Sequence, residues 1–275
     1  MSISAAEVKK LRDHTGAGMM DCKKALKEAE GDFDKAIEIL RKKGQKLSAK
    51  RADRDAKEGV VMAMVNDDKT KGVVIKLSCE TDFVAKNDDF VQLARKMAGI
   101  ALSEFPESKD DLLNQKFESI TIGEKITEQI GVIGEKIEMA EYERIESDMV
   151  VSYIHMGHKA GVILGLNQAG EAEEKAGRDV AMQVAAMRPV SVSKDDVPQE
   201  TIDKELEIGR EIALKEGKPE AIVDKIAQGK LNKFFKENTL LHQAFVKDGK
   251  KSVEQYLKSV SPNLTVTGFK HIELG

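Results

Sequence analysis

The sequence predicts an α+β fold: a small helical module, then two related antiparallel-sheet-plus-helix units, the second interrupted by a helical hairpin. Three observations carry this. Two β-hairpin patterns occur, each followed by an apolar helix and later by a helix and a third strand. No parallel crossover is needed inside either unit, so both sheets are antiparallel. Residues 200–215 and 220–236 read as two helical runs that only the second unit carries.

Residues 1–44 form three short amphipathic helices. Ser4 and Glu7 make a capping box ahead of Val8 and Leu11. Thr15-Gly16-Ala17-Gly18 breaks the chain, after which Met19, Cys22, Leu26 and Ala29 share a helical face. Gly31-Asp32 ends that helix and caps the next, which buries Phe33, Ile37 and Leu40. Three helices of this size make only a marginal core, which suits a docking module. From Arg41 the chain turns polar and basic, and 45–57 reads as a solvated linker rather than an RNA-binding tract, because charged stretches commonly stay in water.

The first sheet unit, 58–146, pairs 59–65 with 72–79, continues into helices at 90–102 and 122–130, and closes with a strand at 136–142. The second, 147–275, pairs 150–155 with 161–166 across the turn Met156-Gly157-His158. Helices at 173–187 and 252–260 and a strand at 264–272 complete it. Its insertion, about 199–238, breaks at Glu216-Gly217-Lys218-Pro219, with Gly stopping one helix and Pro starting the next. Ile202, Leu206, Ile212, Ile222 and Ile226 leave a narrow apolar seam, so the two helices form an antiparallel hairpin projecting from the body rather than lying flat on it.

Composition excludes several function classes. A third of the 275 residues are charged, yet the net charge is only −4, giving no global attraction to nucleic acid or membrane. Tryptophan is absent and aromatics are 4%, against stacking platforms for single strands. No apolar run approaches membrane-spanning length and no secretory leader is visible, so a cytoplasmic protein is expected. Cys22 and Cys79 sit in separate apolar patterns, as buried thiols of a reducing compartment do. His155 and His158 lack a third ligand nearby and make a poor metal site. Thr15-Gly16-Ala17-Gly18 lacks the strand and the Lys-Ser/Thr ending of a phosphate loop. With no nucleophile–base pairing and no convergent carboxylates, neither an enzyme nor a cofactor is expected.

The most informative stretch is Thr81-Asp82-Phe83-Val84-Ala85-Lys86-Asn87. Val73, Ile75, Leu77 and Cys79 alternate along the strand before it, so one strand face is buried. Asn87 is a good N-cap for the following helix, with Asp88 and Asp89 in its first turn. Phe83 therefore lies in a short connection between rigid elements. It either points outward or folds back as a staple on its own helix, and residue chemistry leaves both open.

That segment resembles, letter for letter, the signature of the elongation factor Ts family, guanine-nucleotide exchange factors for elongation factor Tu. A second block, Leu11-Arg12-Asp13-His14-Thr15-Gly16-Ala17-Gly18-Met19-Met20-Asp21-Cys22-Lys23-Lys24-Ala25-Leu26, is similar to the family's N-terminal signature, which usually has Arg-Thr at His14-Thr15. The similarity runs from the first helix to about Gly268. The resemblance implies a ubiquitin-associated-like N-terminal module and elongation factor Tu as partner, both GDP-bound and nucleotide-free, in a complex open to homodimerisation. It also implies that the segment Thr81, Asp82, Phe83 and Val84 meets the partner, with Phe83 intruding near its magnesium and phosphate region. Val84, with Ala85, Lys86 and Asn87, also holds the loop. Arg12, Met19, Met20, His155, Phe245 and Val246 are implied as further contacts. Helical geometry sets Met19 on the buried face and leaves Met20 adaptable, or the reverse with a small rotation. Gln243-Ala244-Phe245-Val246 departs from the family's Gln-Pro-Phe-Val at Ala244, which removes a source of loop stiffness. A rival class, a nucleic-acid- or ligand-binding protein using the basic linker and the His155 hairpin, predicts binding that weakens steeply with salt.

Overall fold

The computed structural model describes residues 3–275. Its first three helices are α1 (Ala5–Thr15), α2 (Met19–Glu28) and α3 (Phe33–Arg51). Ser4 and Glu7 form the capping box, Gly16 closes α1 in the left-handed region at φ 71°, and Asp32 caps α3 through the Lys35 amide. Val8, Leu11, Cys22, Ala25, Leu26 and Ala36 make the core of this unit. Two expectations need correction. Met19 is not buried: it is 44% exposed and Met20 64%, because Ala25 joins Cys22 and Leu26 on the inward face. The segment expected as a linker from residue 45 continues as helix to Arg51. Leu40, Gly44, Leu47 and Arg51 follow a helical stripe, and Leu47 packs against the main core. The polar, basic composition from Arg41 onward hid that stripe.

Next come β1 (Glu58–Val65), β2 (Lys71–Cys79), the one-turn helix α4 (Asp82–Ala85), α5 (Asp88–Glu104) and α6 (Lys109–Leu113). The short strands β3 (Lys116–Phe117) and β4 (Ile120–Thr121) lead into α7 (Ile122–Ile133) and β5 (Ile137–Glu146). The second hairpin is β6 (Met149–His155) and β7 (Ala160–Leu166), followed by α8 (Glu171–Met187) and the long pair α9 (Gln199–Lys215) and α10 (Glu220–Asn238). The strands β8 (Ala244–Phe245) and β9 (Asp248–Ser252), α11 (Val253–Val260) and β10 (Val266–Glu273) complete the chain.

Each main sheet is antiparallel with the hairpin's second strand in the centre, in the orders β1-β2-β5 and β10-β7-β6. On the first, Val60, Met62, Val73, Ile75 and Leu77 face Phe90, Ala94 and Met97 of α5 and Ile122, Ile126 and Ile130 of α7. On the second, Val151, Val162 and Leu164 face Val180 and Val184 of α8 and Leu257 of α11. The opposite faces meet each other through Val61, Ala63, Val74, Val150, Ile163 and Ile272. Hence β2 is buried on both faces, not on one as its alternation suggests. The sheets approach so closely that a Cβ on Gly72 would lie 2.7 Å from Val150 Cγ1, and one on Gly161 2.8 Å from Val61 Cγ1.

Helices α9 and α10 pack chiefly on one another. Their buried seam is made by Gly209, Ala213, Val223, Ala227 and Leu231; of the residues expected there Ile202, Leu206 and Ile226 are half-buried, while Ile212 and Ile222 are exposed. A Cβ on Gly209 would stand 3.0 Å from the Ala227 Cα, so small residues draw the backbones together and turn Ile208, Ile212 and Ile222 outward.

The crossing of α3 and α7 gives a matched test of packing against propensity. A Cβ on Gly44 would meet the Thr127 carbonyl oxygen at 2.8 Å, whereas one on Gly99 in α5 meets nothing within 4 Å. Gly99→Ala should gain about 0.5–1 kcal/mol from helix propensity alone. Gly44→Ala gains the same and loses about 1–3 kcal/mol by overpacking against backbone, so it should come out destabilised. Urea unfolding of the two variants reads both signs.

Candidate functional site

The site begins where β2 ends. Thr81 caps α4, accepting a long 3.5 Å hydrogen bond from the Val84 amide, and Asn87 caps α5 through the Asp89 amide. Within this turn Val84 and Ala85 face inward and pack against the main core. Phe83 points the other way and is 83% exposed. The staple alternative is therefore not adopted. A bare aromatic on a short turn between two secondary-structure elements sits where binding side chains are disproportionately found. Asp82 beside it is engaged by Lys86, whose ammonium donates to the carboxylate at 2.6 Å. That hydrogen bond holds Asp82 below the usual carboxylate range and raises Lys86.

Two glutamates fix the turn from behind. Glu135, just past the Gly134 cap of α7, accepts from the Glu80 amide at 3.1 Å, the Thr81 amide at 3.0 Å and the Thr81 hydroxyl at 2.6 Å. Glu80 accepts from Arg51 at 2.6 Å, Arg54 at 2.9 Å and the Lys136 amide at 2.6 Å. Burial works to raise the Glu80 carboxyl, but the Lys136 amide and the two guanidiniums outweigh it and hold it down at about 2. Sequence reasoning missed this cluster. The helical stripe through Gly44 could have revealed Arg51, but nothing local could have revealed Glu135.

The other sequence-singled residues fall into two groups. Arg12, Met19, Met20, His155 and Val246 are reachable from outside: Arg12, Met19, Met20 and Val246 are exposed and His155 is half-buried. A Cβ on Gly16 would lie 3.9 Å from Val132 near the end of α7, so the turn before Met19 abuts the helix whose end holds Thr81. His155 is bonded through Nδ1 to the Tyr153 hydroxyl at 2.9 Å, and its neighbour Met156 stands exposed at the hairpin tip. That tip is tied to the first sheet, since the Val61 amide donates to the His158 carbonyl at 2.8 Å.

Phe245 is the exception. Only 3% exposed, it stacks on Tyr256 at 4.0 Å between centroids and belongs to the second core, so of the two contacts expected there only Val246 is exposed. The loop's stiffness comes from Gln183 in place of a proline. The Gln183 side chain donates to Gln243 Oε1 at 3.1 Å and the Ala244 carbonyl at 3.0 Å, and accepts from the Val246 amide at 2.9 Å. The basic segment's arginines are committed internally, Arg41 to Glu128 and Arg51 and Arg54 to Glu80. Among the described residues no group of three or more His, Cys, Asp or Glu could hold a metal ion, and no helix is long and apolar enough to cross a membrane.

The site is thus an exposed aromatic on a short turn, braced from behind by hydrogen-bonded charge pairs. The model of the family described as Elongation factor TS matches residues 80–275. Elongation factor Ts of Christiangramia forsetii is 56% identical over 273 residues, 99% of each chain. That of Flavobacterium psychrophilum is 52% identical over 274 residues, covering 100% of this chain and 99% of its own. The Amoebophilus asiaticus protein of the same name is 51% identical across the whole of both. The chain belongs to the elongation factor Ts family.

The depressed Glu80 carboxyl sets a pH dependence. A carboxyl lowered on folding from 4.5 to about 2 contributes stability that is complete above 4.5 and is lost as pH falls toward 2. The difference in unfolding free energy between the native chain and Glu80→Gln should be constant at neutral pH and shrink below pH 4.5. Urea titrations at pH 7, 4 and 3 test the sign.

Proposed function

We propose that the chain is a guanine-nucleotide exchange factor that binds elongation factor Tu carrying GDP and promotes GDP release, so that GTP can enter. The observation that carries this reading is the exposure of Phe83 on a braced turn, in a chain of this family. A GTPase grips its nucleotide through phosphate contacts and a magnesium ion. A partner speeds release only by favouring the empty conformation over the loaded one. The Phe83 ring, pushed between elements of the partner near that ion, shifts ligands whose octahedral geometry tolerates little displacement. Thr81 and Val84 hold the turn while Phe83 is the wedge. Asp82 brings a carboxylate to the same place, paired with Lys86 one turn on.

Residues 3–44, read as a ubiquitin-associated-like module, dock on the GTP-binding domain through Arg12, Met20 and the newly exposed Met19. His155 and Val246 supply contacts from the two ends of the second unit, with Phe245 anchoring Val246 from inside the core. The protein works in the cytoplasm, holds no cofactor and breaks no bond. A homodimer in the complex would cover the outward Ile208, Ile212 and Ile222 stripe of the hairpin. Ile212→Lys should then halve the mass of the assembly by light scattering without slowing nucleotide release.

Burying a phenylalanine side chain contributes about 1.5–3 kcal/mol. Spent wholly on the open state of the partner, that is roughly a ten- to hundredfold acceleration. Phe83→Ala should therefore keep the fold and slow fluorescent GDP release from elongation factor Tu by roughly that factor. Release at the native rate would contradict the wedge.

A further inference from the structure

We propose that Glu135, Glu80 and Arg51 are positioning residues for exchange, forming a joint that sets the pose of Phe83 and ties it to the N-terminal helices. This rests on the wedge reading of Phe83 and adds what holds the wedge.

Helix α4 has four residues, a single turn, and one turn cannot sustain itself because nucleation fixes several dihedrals for one hydrogen bond. Its order must come from outside. The Thr81 hydroxyl donates a hydrogen bond to Glu135 Oε1 at 2.6 Å, which leaves a lone pair of Thr81 Oγ1 to accept from the Val84 amide. Glu135 Oε2 takes the two amides that lead into the turn. One carboxylate thus orients both the entry strand and the cap of the element that carries Phe83.

The second half of the joint reaches back to the N-terminus. Helices α3 and α7 touch backbone to backbone, with a Gly131 Cβ placed only 3.1 Å from the Gly44 Cα. From that crossing both run toward the same place. Seven residues on, about 10 Å along the axis, α3 delivers Arg51 onto Glu80 at 2.6 Å. Four residues on from Gly131, the chain beyond α7 delivers Glu135 onto Thr81. Arg41 and Glu128, ion-paired at 3.2 Å, clamp the far side of the crossing. The helix that begins in the docking module therefore ends on the residue two positions before Asp82. Met20 and Phe83 are held in one frame, so a partner that engages both must accept their fixed spacing.

The side-chain hydrogen bonds of Arg51 and Glu135 all reach Glu80 or Thr81, at the entry to the turn. Their loss should loosen the turn before it loosens the protein. The test uses the full chain with purified elongation factor Tu carrying a fluorescent GDP, together with amide hydrogen exchange of the free chain. In Glu135→Ala the Ala85 and Lys86 amides should exchange roughly tenfold faster while those of 73–77 stay as protected as in the native chain. The saturating rate of GDP release should fall roughly tenfold, with the half-saturating concentration changed less than about threefold. Arg51→Met, outside the turn, should lower the saturating rate severalfold, and Arg51→Lys should restore most of it. Native protection of the turn in both Glu135→Ala and Arg51→Met, or native release from a loosened turn, overturns the joint. Native release by a Phe83→Ala control overturns instead the wedge reading beneath it, since turn exchange rates in the free chain do not depend on it.

Discussion

Two sheets pressed face to face leave each only one side for helices, and that constraint orders the rest of the molecule. Residues at the shared layer are small or β-branched, and at Gly72 and Gly161 any side chain would collide with the opposite sheet. With the inner faces consumed, α5 and α7 cover one outer face and α8 and α11 the other. Accessible side chains are left to strand ends, turns and the helices that overhang. Phe83 stands at the end of β2, His155 and Met156 at the tip of the second hairpin, and Val246 on a loop over the second core.

The same economy explains why the turn carrying Phe83 is braced by charge rather than by apolar packing. A ring left in water cannot anchor its own turn. Val84 and Ala85 give the turn one inward face, and Glu135 and Glu80 supply the remainder. Exposed ion pairs contribute little, but Glu80 is largely shielded and accepts from an amide as well as two guanidiniums, and Glu135 accepts from two amides and a hydroxyl, a geometry in which ionised acceptors are strong.

Much of this was legible in the residues. Both hairpins, their later third strands and the caps at Ser4, Asn87 and Ser252 follow from alternation and capping chemistry. The uninterrupted apolar run of β7 carried the signal of a strand buried on both faces, a signal that the alternation of β2 obscured. The contacts at Gly44 and Gly209 were not legible, because a glycine at a helix crossing carries no apolar side chain to mark the buried stripe. Phe245 read as an exposed contact because its partners, Tyr256 and Gln183, are distant in the chain. Glu135 was illegible for the same reason: its three hydrogen bonds reach 54 and 55 residues back.

What the account claims above all is that the Phe83 ring enters the partner rather than its own core. Replacing Phe83 with a photoreactive phenylalanine analogue and irradiating the complex with nucleotide-free elongation factor Tu tests this most directly. The account predicts one dominant cross-link, within the GTP-binding domain beside the magnesium and phosphate region. A cross-link to another domain, or only to this chain itself, would contradict it.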